Sequence, residues 1–157
     1  MSNPTLAPGA AAPPAQVYTT FIRATPDRVW RAITESEFTL RYYYASSVES
    51  DFRTGSPYVY RIGDELAIVG TVLESDPPRR LVMSFHAVWD EDVAGDPPTR
   101  IAWEIEDAGG GVAKVTVVHD GFAAEDETFR QVAGGWSYIL SGLKTLLETG
   151  RPMSSGA

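Results

Sequence analysis

Acid–base chemistry in this sequence depends on two histidines, His86 and His119, because imidazole is the side chain that exchanges a proton near neutral pH. His119 alternates with Val115 and Val117 along a β-rich segment, so these three side chains are predicted to share the interior face of a strand. There His119 is either a polar anchor or general acid/base for a bound molecule, or a hydrogen-bonded structural residue. No partner group is identifiable, so we favour the structural role. His86 follows Phe85 and should point the other way.

Other kinds of reactive site find no support. The absence of cysteine excludes disulfides, thiolate nucleophiles and zinc–thiolate centres, and two histidines cannot form a multi-histidine metal cage. The hydroxyls of Thr71, Ser84 and Ser141 are available, but there is no Gly-x-Ser-x-Gly motif. The acidic loop at 90–98 lacks the calcium-binding pattern and is interpreted as solvated. We therefore predict no catalytic residue, no metal and no cofactor.

Aromatic residues are numerous, with 4 Trp, 7 Tyr and 6 Phe. Six are predicted to share the concave side of a sheet: Tyr58, Tyr60, Phe85, Trp103, Phe129 and Trp136. They form either a solid core or the wall of a ligand cavity, and composition does not decide between these. The adjacent Gly134 and Gly135 fall inside a helical pattern, where each costs about 1 kcal/mol relative to alanine. They serve either close packing or space for a ligand.

The charge balance excludes some classes of partner. Lys and Arg number 13 and Asp and Glu number 21, which gives a net charge of −8. Such a surface repels nucleic-acid phosphates and anionic lipid headgroups, so we predict no nucleic acid and no membrane as partner. The charge is interpreted as favouring solubility. The absence of a long apolar run and of a basic, leucine-rich start predicts a cytoplasmic protein.

Hydrophobic periodicity, capping residues and turn residues predict the strands and helices that position these side chains. Strands are predicted at 16–22, 48–52, 58–62, 67–74, 80–88, 100–106 and 112–120. Two short helices follow the first strand, one capped by Thr25 and ending near Thr34, the other from Ser36 to about Tyr42. A long helix of about 23 residues then spans roughly 35 Å and ends at Gly150.

This order predicts an α+β fold in one domain, residues 16–151. Strands joined by short turns favour a curved antiparallel sheet of about seven strands, and the long C-terminal helix must bury its apolar stripe against one face. Residues 1–15, rich in Ala and Pro, are predicted to be a disordered tail, and 152–157 a second short tail.

Four motifs occur in order over about residues 16–150: ATPDRVWRAIT at 24–34, GTVLESDPPRRL at 70–81, TVVHDGF at 116–122 and GGW at 134–136. Together they resemble the START/Bet v 1-like (SRPBCC) superfamily with its helix-grip fold. The resemblance is strongest to the branch named after the activator of Hsp90 ATPase. The set is specific for the fold and the branch, and much less so for function.

The resemblance implies an elongated apolar cavity that binds a hydrophobic small molecule, lipid-like or aromatic, in a carrier or sensor. On this basis ten residues are predicted to bind the ligand: Tyr58, Tyr60, Phe85, Trp103, Val117, His119, Phe129, Trp136, Ile139 and Leu140. Two alternatives stay open: an enzyme of the polyketide cyclase/aromatase or hydrolase kind that uses His119 and a tyrosine, and a ligand-free interaction module. A homodimer is also left open.

The sequence departs from the family pattern in two places. The second short helix often ends in Arg-Trp-Tyr or Arg-Trp-Phe in the family, whereas this chain has Arg-Tyr-Tyr-Tyr at 41–44, which alters polarity at one end of the expected cavity. The eukaryotic co-chaperone also carries a separate N-terminal domain, where this sequence has an Ala/Pro tail. We therefore do not expect Hsp90 activation to follow from the resemblance.

Overall fold

A computed structural model describes residues 12–154. These residues form seven strands and four helices. The strands are β1 (Gln16–Ile22), β2 (Ser46–Ser50), β3 (Pro57–Ile62), β4 (Glu65–Asp76), β5 (Arg80–Ala87), β6 (Thr99–Gly109) and β7 (Val112–Asp120). The helices are α1 (Pro26–Thr34), α2 (Ser36–Tyr42), α3 (Glu91–Ala94) and α4 (Glu127–Thr149).

All seven strands belong to one antiparallel sheet in the order β1-β7-β6-β5-β4-β3-β2. β1 and β2 therefore occupy opposite edges, and α1 and α2 lead the chain from one edge to the other. α4 packs against the concave face of the sheet. The predicted α+β helix-grip architecture is confirmed.

Local features explain where α1 begins and how the chain leaves α2. The Thr25 side chain accepts a hydrogen bond from the Arg28 amide at 3.2 Å, and Pro26 occupies the first turn of α1, where no amide donor is needed. After α2, Tyr44 and Ala45 have φ angles of 51° and 55°, a left-handed conformation that is uncommon outside glycine. This turn directs the chain from α2 into β2.

α4 is the element that covers the cavity and the core. Asp126 caps its N-terminus by accepting a hydrogen bond from the Phe129 amide at 3.0 Å. Gly150 ends the helix in a left-handed conformation with φ 79°, which a residue with a Cβ adopts less readily. The buried stripe of α4 includes Val132, Trp136 and Leu143. The predicted position and length of this helix are confirmed.

The loop predicted at 90–98 is partly helical, because it contains the single turn α3. Asp90 caps that turn by accepting a hydrogen bond from the Val93 amide at 2.9 Å. Asp96 accepts hydrogen bonds from both the amide and the hydroxyl of Thr128, at 2.9 and 2.8 Å. Most residues of this loop, including Asp90, are exposed, as interpreted from the sequence. Asp96 in addition joins the loop to the start of α4.

The predicted tails lie mainly outside the described residues. Residues 1–11 and 155–157 are not described, and 12–15 have no regular secondary structure. The single domain over 16–151 stays a prediction. Within residues 12–154, no helix is both long enough and apolar enough to cross a membrane.

Candidate functional site

A cavity of about 370 Å³ lies between the first half of α4 and strands β2 to β5. This is within the usual range of small-molecule pockets. Five of its lining residues come from α4, six from β2 to β5, and the other three from the turns after α2 and β5. They are Tyr43, Tyr44, Ser46, Tyr60, Ile62, Ala67, Ile68, Phe85, Trp89, Gln131, Val132, Gly135, Trp136 and Ile139.

The inner wall of the cavity consists of aromatic rings in mutual contact. Tyr43 stacks on Tyr60, with 4.7 Å between ring centroids and 27° between planes. Tyr43 also meets Trp136 edge to face at 6.1 Å. All three side chains are buried. Such contacts fix the ring positions, so the wall is preorganised.

The rim of the cavity carries more exposed aromatics. Tyr44 stacks on Tyr138 at 5.3 Å with 20° between planes. On the α4 side, the Trp89 indole donates a hydrogen bond to Gln131 Oε1 at 2.8 Å. Gln131 in turn donates from Nε2 to Glu127 Oε2 at 2.9 Å. The polar groups of this rim are therefore largely engaged within the protein.

His119 lies outside the cavity, in a fully buried hydrogen-bonded chain. Its Nδ1 accepts a hydrogen bond from the Trp136 indole at 3.0 Å, which leaves Nε2 as the protonated nitrogen. Nε2 then donates to Thr99 Oγ1 at 2.7 Å, and the Thr99 hydroxyl donates to the Phe85 carbonyl at 3.3 Å. Both ring nitrogens are thus committed in the neutral state.

This environment removes His119 from acid–base chemistry near neutral pH. Burial lowers its pKa from 6.5 to about 3, against an opposing effect of the Asp120 carboxylate. Protonation at Nδ1 would also break the hydrogen bond from Trp136. The structural role favoured from the sequence agrees with this geometry. His86 points away from the core, as expected, and its Nε2 lies 3.0 Å from the Ala94 carbonyl oxygen.

The ten residues predicted to bind a ligand divide between two places. Four line the cavity: Tyr60, Phe85, Trp136 and Ile139. Six do not: Tyr58, Trp103, Val117, His119, Phe129 and Leu140. Trp103, Val117 and His119 lie on β6 and β7, where α4 packs directly on the sheet. Phe129 instead packs edge to face on Phe122 at 4.9 Å, near the start of α4.

Sequence reasoning missed most of the remaining cavity residues. Tyr43 and Tyr44 belong to the segment at 41–44 that departs from the family pattern, and that departure was the available signal. Trp89 and Gln131 gave no signal, because Trp89 lies between the predicted strand at 80–88 and the polar loop at 90–98, and Gln131 is a polar residue of the predicted long helix. Their roles depend on the contact between the loop after β5 and α4, which periodicity does not report.

The two helix glycines of the GGW motif differ in their surroundings. A Cβ on Gly135 would lie 3.4 Å from the Tyr44 hydroxyl, at the cavity, whereas a Cβ on Gly134 would meet nothing within 4 Å. A third glycine of α4, Gly142, allows close packing instead. A Cβ on Gly142 would lie 3.3 Å from Tyr42 Cβ, where α4 crosses α2.

Metal binding finds no site in the described part of the chain. Among residues 12–154 there is no group of three or more His, Asp or Glu side chains placed to hold an ion. The cavity lining itself contains none of these residue types and no Lys or Arg. Its chemistry is that of aromatic rings, aliphatic groups, hydroxyls and one amide.

Comparison with known proteins places the chain in a family. The family model described as "Activator of Hsp90 ATPase homolog 1-like protein" matches residues 23–148. A search of curated proteins finds no match.

Solved structures share the fold. CalU16 from Micromonospora echinospora is 22% identical with a TM-score of 0.70, over 88% of this chain and 76% of CalU16. The Aha1 dimer from Colwellia psychrerythraea is 18% identical with a TM-score of 0.70, over 87% of this chain and 97% of that one. DynU16, a protein in the dynemicin biosynthetic locus, is 20% identical with a TM-score of 0.70, over 88% of this chain and 48% of DynU16. At these identities the likeness shows the fold alone. The family match, which spans most of the sequence, shows that the chain belongs to the Activator of Hsp90 ATPase homolog 1-like family within the SRPBCC superfamily.

Proposed function

We propose that this protein binds a hydrophobic small molecule in the cavity beneath α4 and acts as a carrier or sensor. The observation that carries the proposal is an aromatic-walled space of about 370 Å³ whose lining has no charged side chain. Burial of an apolar molecule there is favoured by about 25 cal/mol per Å² of apolar surface removed from water.

An enzymatic role has less support. General acid–base catalysis needs a group that titrates near the working pH and reaches the substrate. His119 meets neither condition, because it is neutral, buried and outside the cavity lining. Burial also raises the pKa of Tyr43 well above its usual value of 10, so this phenol stays protonated and does not serve as a general base. The cyclase or hydrolase alternative therefore stays second to binding.

Three further predictions concern a homodimer, the cellular location and a ligand-free interaction module. The described Aha1 relative from Colwellia is a dimer, which favours testing this chain for a homodimer. The cytoplasmic location stays a prediction from the sequence. A ligand-free interaction module is disfavoured by the cavity, because such a module needs no internal space.

The test uses N-phenyl-1-naphthylamine, a neutral apolar dye whose emission rises in apolar surroundings. The wild type should bind it saturably. Gly135→Leu places a side chain at the cavity and should weaken binding at least about tenfold, which corresponds to about 1.4 kcal/mol.

Gly134→Leu is the matched control, because the same side chain added there meets open space and should leave affinity unchanged. Melting curves of both variants verify that α4 is intact. Absence of dye binding by the wild type, or equal loss in the two variants, would contradict the proposal.

A further inference from the structure

Four buried tyrosines near the cavity differ in how their hydroxyls are used. The Tyr42 hydroxyl donates to the Ala32 carbonyl at 2.8 Å, and the Tyr58 hydroxyl donates to the Ser84 carbonyl at 2.6 Å. The hydroxyls of Tyr43 and Tyr60 have no hydrogen-bond partner among residues 12–154. Both of these side chains are nevertheless buried, with exposed fractions of 5% and 2%.

The open space that borders these two residues is the cavity. A buried polar group is normally hydrogen-bonded, and an unpaired one is costly. In the described chain only Trp103 Nε1 is both fully sealed and unpaired, so the phenol oxygens of Tyr43 and Tyr60 retain some accessible surface. Both residues line the cavity, and their stacked rings place the two side chains side by side.

The other buried or hydrogen-bonding groups around the cavity are already engaged by protein. The Ser46 hydroxyl donates to the Tyr43 carbonyl, and the Trp136 indole donates to His119. The Trp89 indole and the Gln131 amide bond to each other and to α4. Tyr44 is about half exposed at the rim, where water can reach it. Tyr43 and Tyr60 are therefore the two inner groups free to recognise a polar atom of a ligand.

The residues around the cavity determine whether the ligand atom that bonds to these hydroxyls is charged or neutral. Burial raises the pKa of both phenols, so they stay protonated hydrogen-bond donors over the whole working range of pH. Among residues 12–154, no cationic side chain lines the cavity to balance a carboxylate or phosphate. A charged group would lose its hydration without compensation, whereas a neutral oxygen would lose little and gain the phenol hydrogen bonds.

We infer that the Tyr43 and Tyr60 hydroxyls bind a neutral acceptor oxygen, such as a ketone or quinone carbonyl, on an otherwise apolar aromatic ligand. This assignment rests on the proposed function, since it names the ligand class for the same cavity. The aromatic wall packs against the rings of the ligand, and the phenol pair fixes its orientation.

Three naphthalenes of one size test the assignment by displacement of N-phenyl-1-naphthylamine: 2-acetylnaphthalene, 2-ethylnaphthalene and 2-naphthoate. The ketone should bind about fivefold tighter than the hydrocarbon, since a net hydrogen bond is worth about 1 kcal/mol. The carboxylate should bind weakest. With a ¹³C-labelled carbonyl, the infrared C=O stretch of the bound ketone should move to lower frequency than in hexane, which reports hydrogen bonding directly.

Tyr43→Phe and Tyr60→Phe should each reduce the preference for the ketone, and the double variant should remove both the preference and the infrared shift. Tyr42→Phe and Tyr58→Phe are matched controls, because their hydroxyls are bonded to backbone carbonyls. They should lower the melting temperature and keep the preference. Y43F and Y60F should leave the melting temperature of the free protein almost unchanged.

The outcomes separate this inference from the proposed function. Equal, competitive binding of ketone and hydrocarbon, or a ketone preference that survives in the double variant, would overturn the role of the phenol pair and leave the binding function intact. Tightest binding of 2-naphthoate would overturn the neutral acceptor. Failure of the dye and of all three naphthalenes to bind would contradict both.

Discussion

The concave face beneath α4 contains two regions that use similar residues in different ways. Over β6 and β7, the buried rings of Trp103 and His119 meet Trp136 of α4, at 5.8 and 6.0 Å between ring centroids, and neither Trp103, Val117 nor His119 is among the residues that line the cavity. Over β2 to β5, Tyr43 and Tyr60 stand beside open space. We call these the packed region and the cavity region. Both are rich in aromatic rings, so aromatic content does not decide which one can accept a ligand.

What separates the two regions is where their unpaired polar atoms lie. The Trp103 indole N–H of the packed region is sealed from solvent, whereas the two phenol hydroxyls of the cavity region keep accessible surface. In the packed region a continuous chain of hydrogen bonds runs from Trp136 through His119 and Thr99 to the Phe85 carbonyl. In the cavity region the two inner phenol hydroxyls have no hydrogen-bond partner within the described part of the chain, residues 12–154. A satisfied buried network makes its region rigid, whereas unpaired donors beside open space are available to a ligand. Trp136 belongs to both regions. Its indole N–H bonds to His119 in the packed region, and Trp136 also lines the cavity.

The largest expected effect comes from breaking the packed region. His119→Ala should lower the free energy of unfolding by about 3 kcal/mol, because it leaves a cavity and strands the Trp136 indole N–H without an acceptor. Urea denaturation followed by circular dichroism measures the change. His86→Ala is the control and should cost at most about 1 kcal/mol, since the His86 ring lies outside the core, where its Nε2 is 3.0 Å from the Ala94 carbonyl oxygen. Similar losses in the two variants would show that the hydrogen-bonded chain adds no special stability.

Much of the fold could be predicted from the sequence because its signals are local. The cap at Thr25, the alternation along β7 and the apolar stripe ending at Gly150 each depend on residues close in the chain. The bounds of β7 agree with the prediction, and β2 begins two residues earlier than expected, at Ser46. The single turn α3 was missed, because a four-residue helix is too short to show periodicity.

The cavity could be predicted only as a class of site. Whether Trp103 or Tyr60 borders open space depends on how α4 is inclined to the sheet, and that arises from contacts distant in sequence, such as Gly142 against Tyr42. The left-handed turn at Tyr44 and Ala45 contains no glycine, the residue that usually indicates such a turn in a sequence. Pattern alone therefore placed the aromatic residues on the correct face without separating the packed region from the cavity region.

A second, smaller effect concerns pH and sharpens the assignment of His119 to the packed region. Its pKa is about 3 in the folded protein against 6.5 when exposed, so the unfolded chain binds one more proton between these values. Stability should therefore fall as pH decreases through this window. Between pH 6 and pH 4 the loss due to this residue should be about 2 kcal/mol.

The pH effect is measured as a difference between proteins. His119→Asn keeps a neutral oxygen that can accept from Trp136 but does not titrate, so urea denaturation at pH 6 and pH 4 should show the smaller loss in this variant. Carboxylates distant from His119 contribute equally to both proteins and cancel. Asp120 does not cancel fully, because its pKa is lowered mainly by Arg100 and to a lesser extent by His119. Parallel pH profiles for wild type and variant would mean that His119 is solvated, and the packed region would then be less closed than its geometry indicates.

The smallest expected effect concerns Gly134 and Gly135, the two neighbouring glycines of α4 at the edge of the cavity. Gly134→Ala should raise the free energy of unfolding by up to about 1 kcal/mol, because alanine is the better helix former and the added Cβ meets nothing within 4 Å. Gly135→Ala should gain less, since its Cβ would contact the Tyr44 hydroxyl at 3.4 Å, whereas a Cβ on Gly134 contacts nothing. Thermal melting of both variants measures the difference, and dye affinity should change only in Gly135→Ala. A greater stabilisation from Gly135→Ala would indicate that Tyr44 yields freely, so that the rim of the cavity region is softer than its stacking on Tyr138 implies.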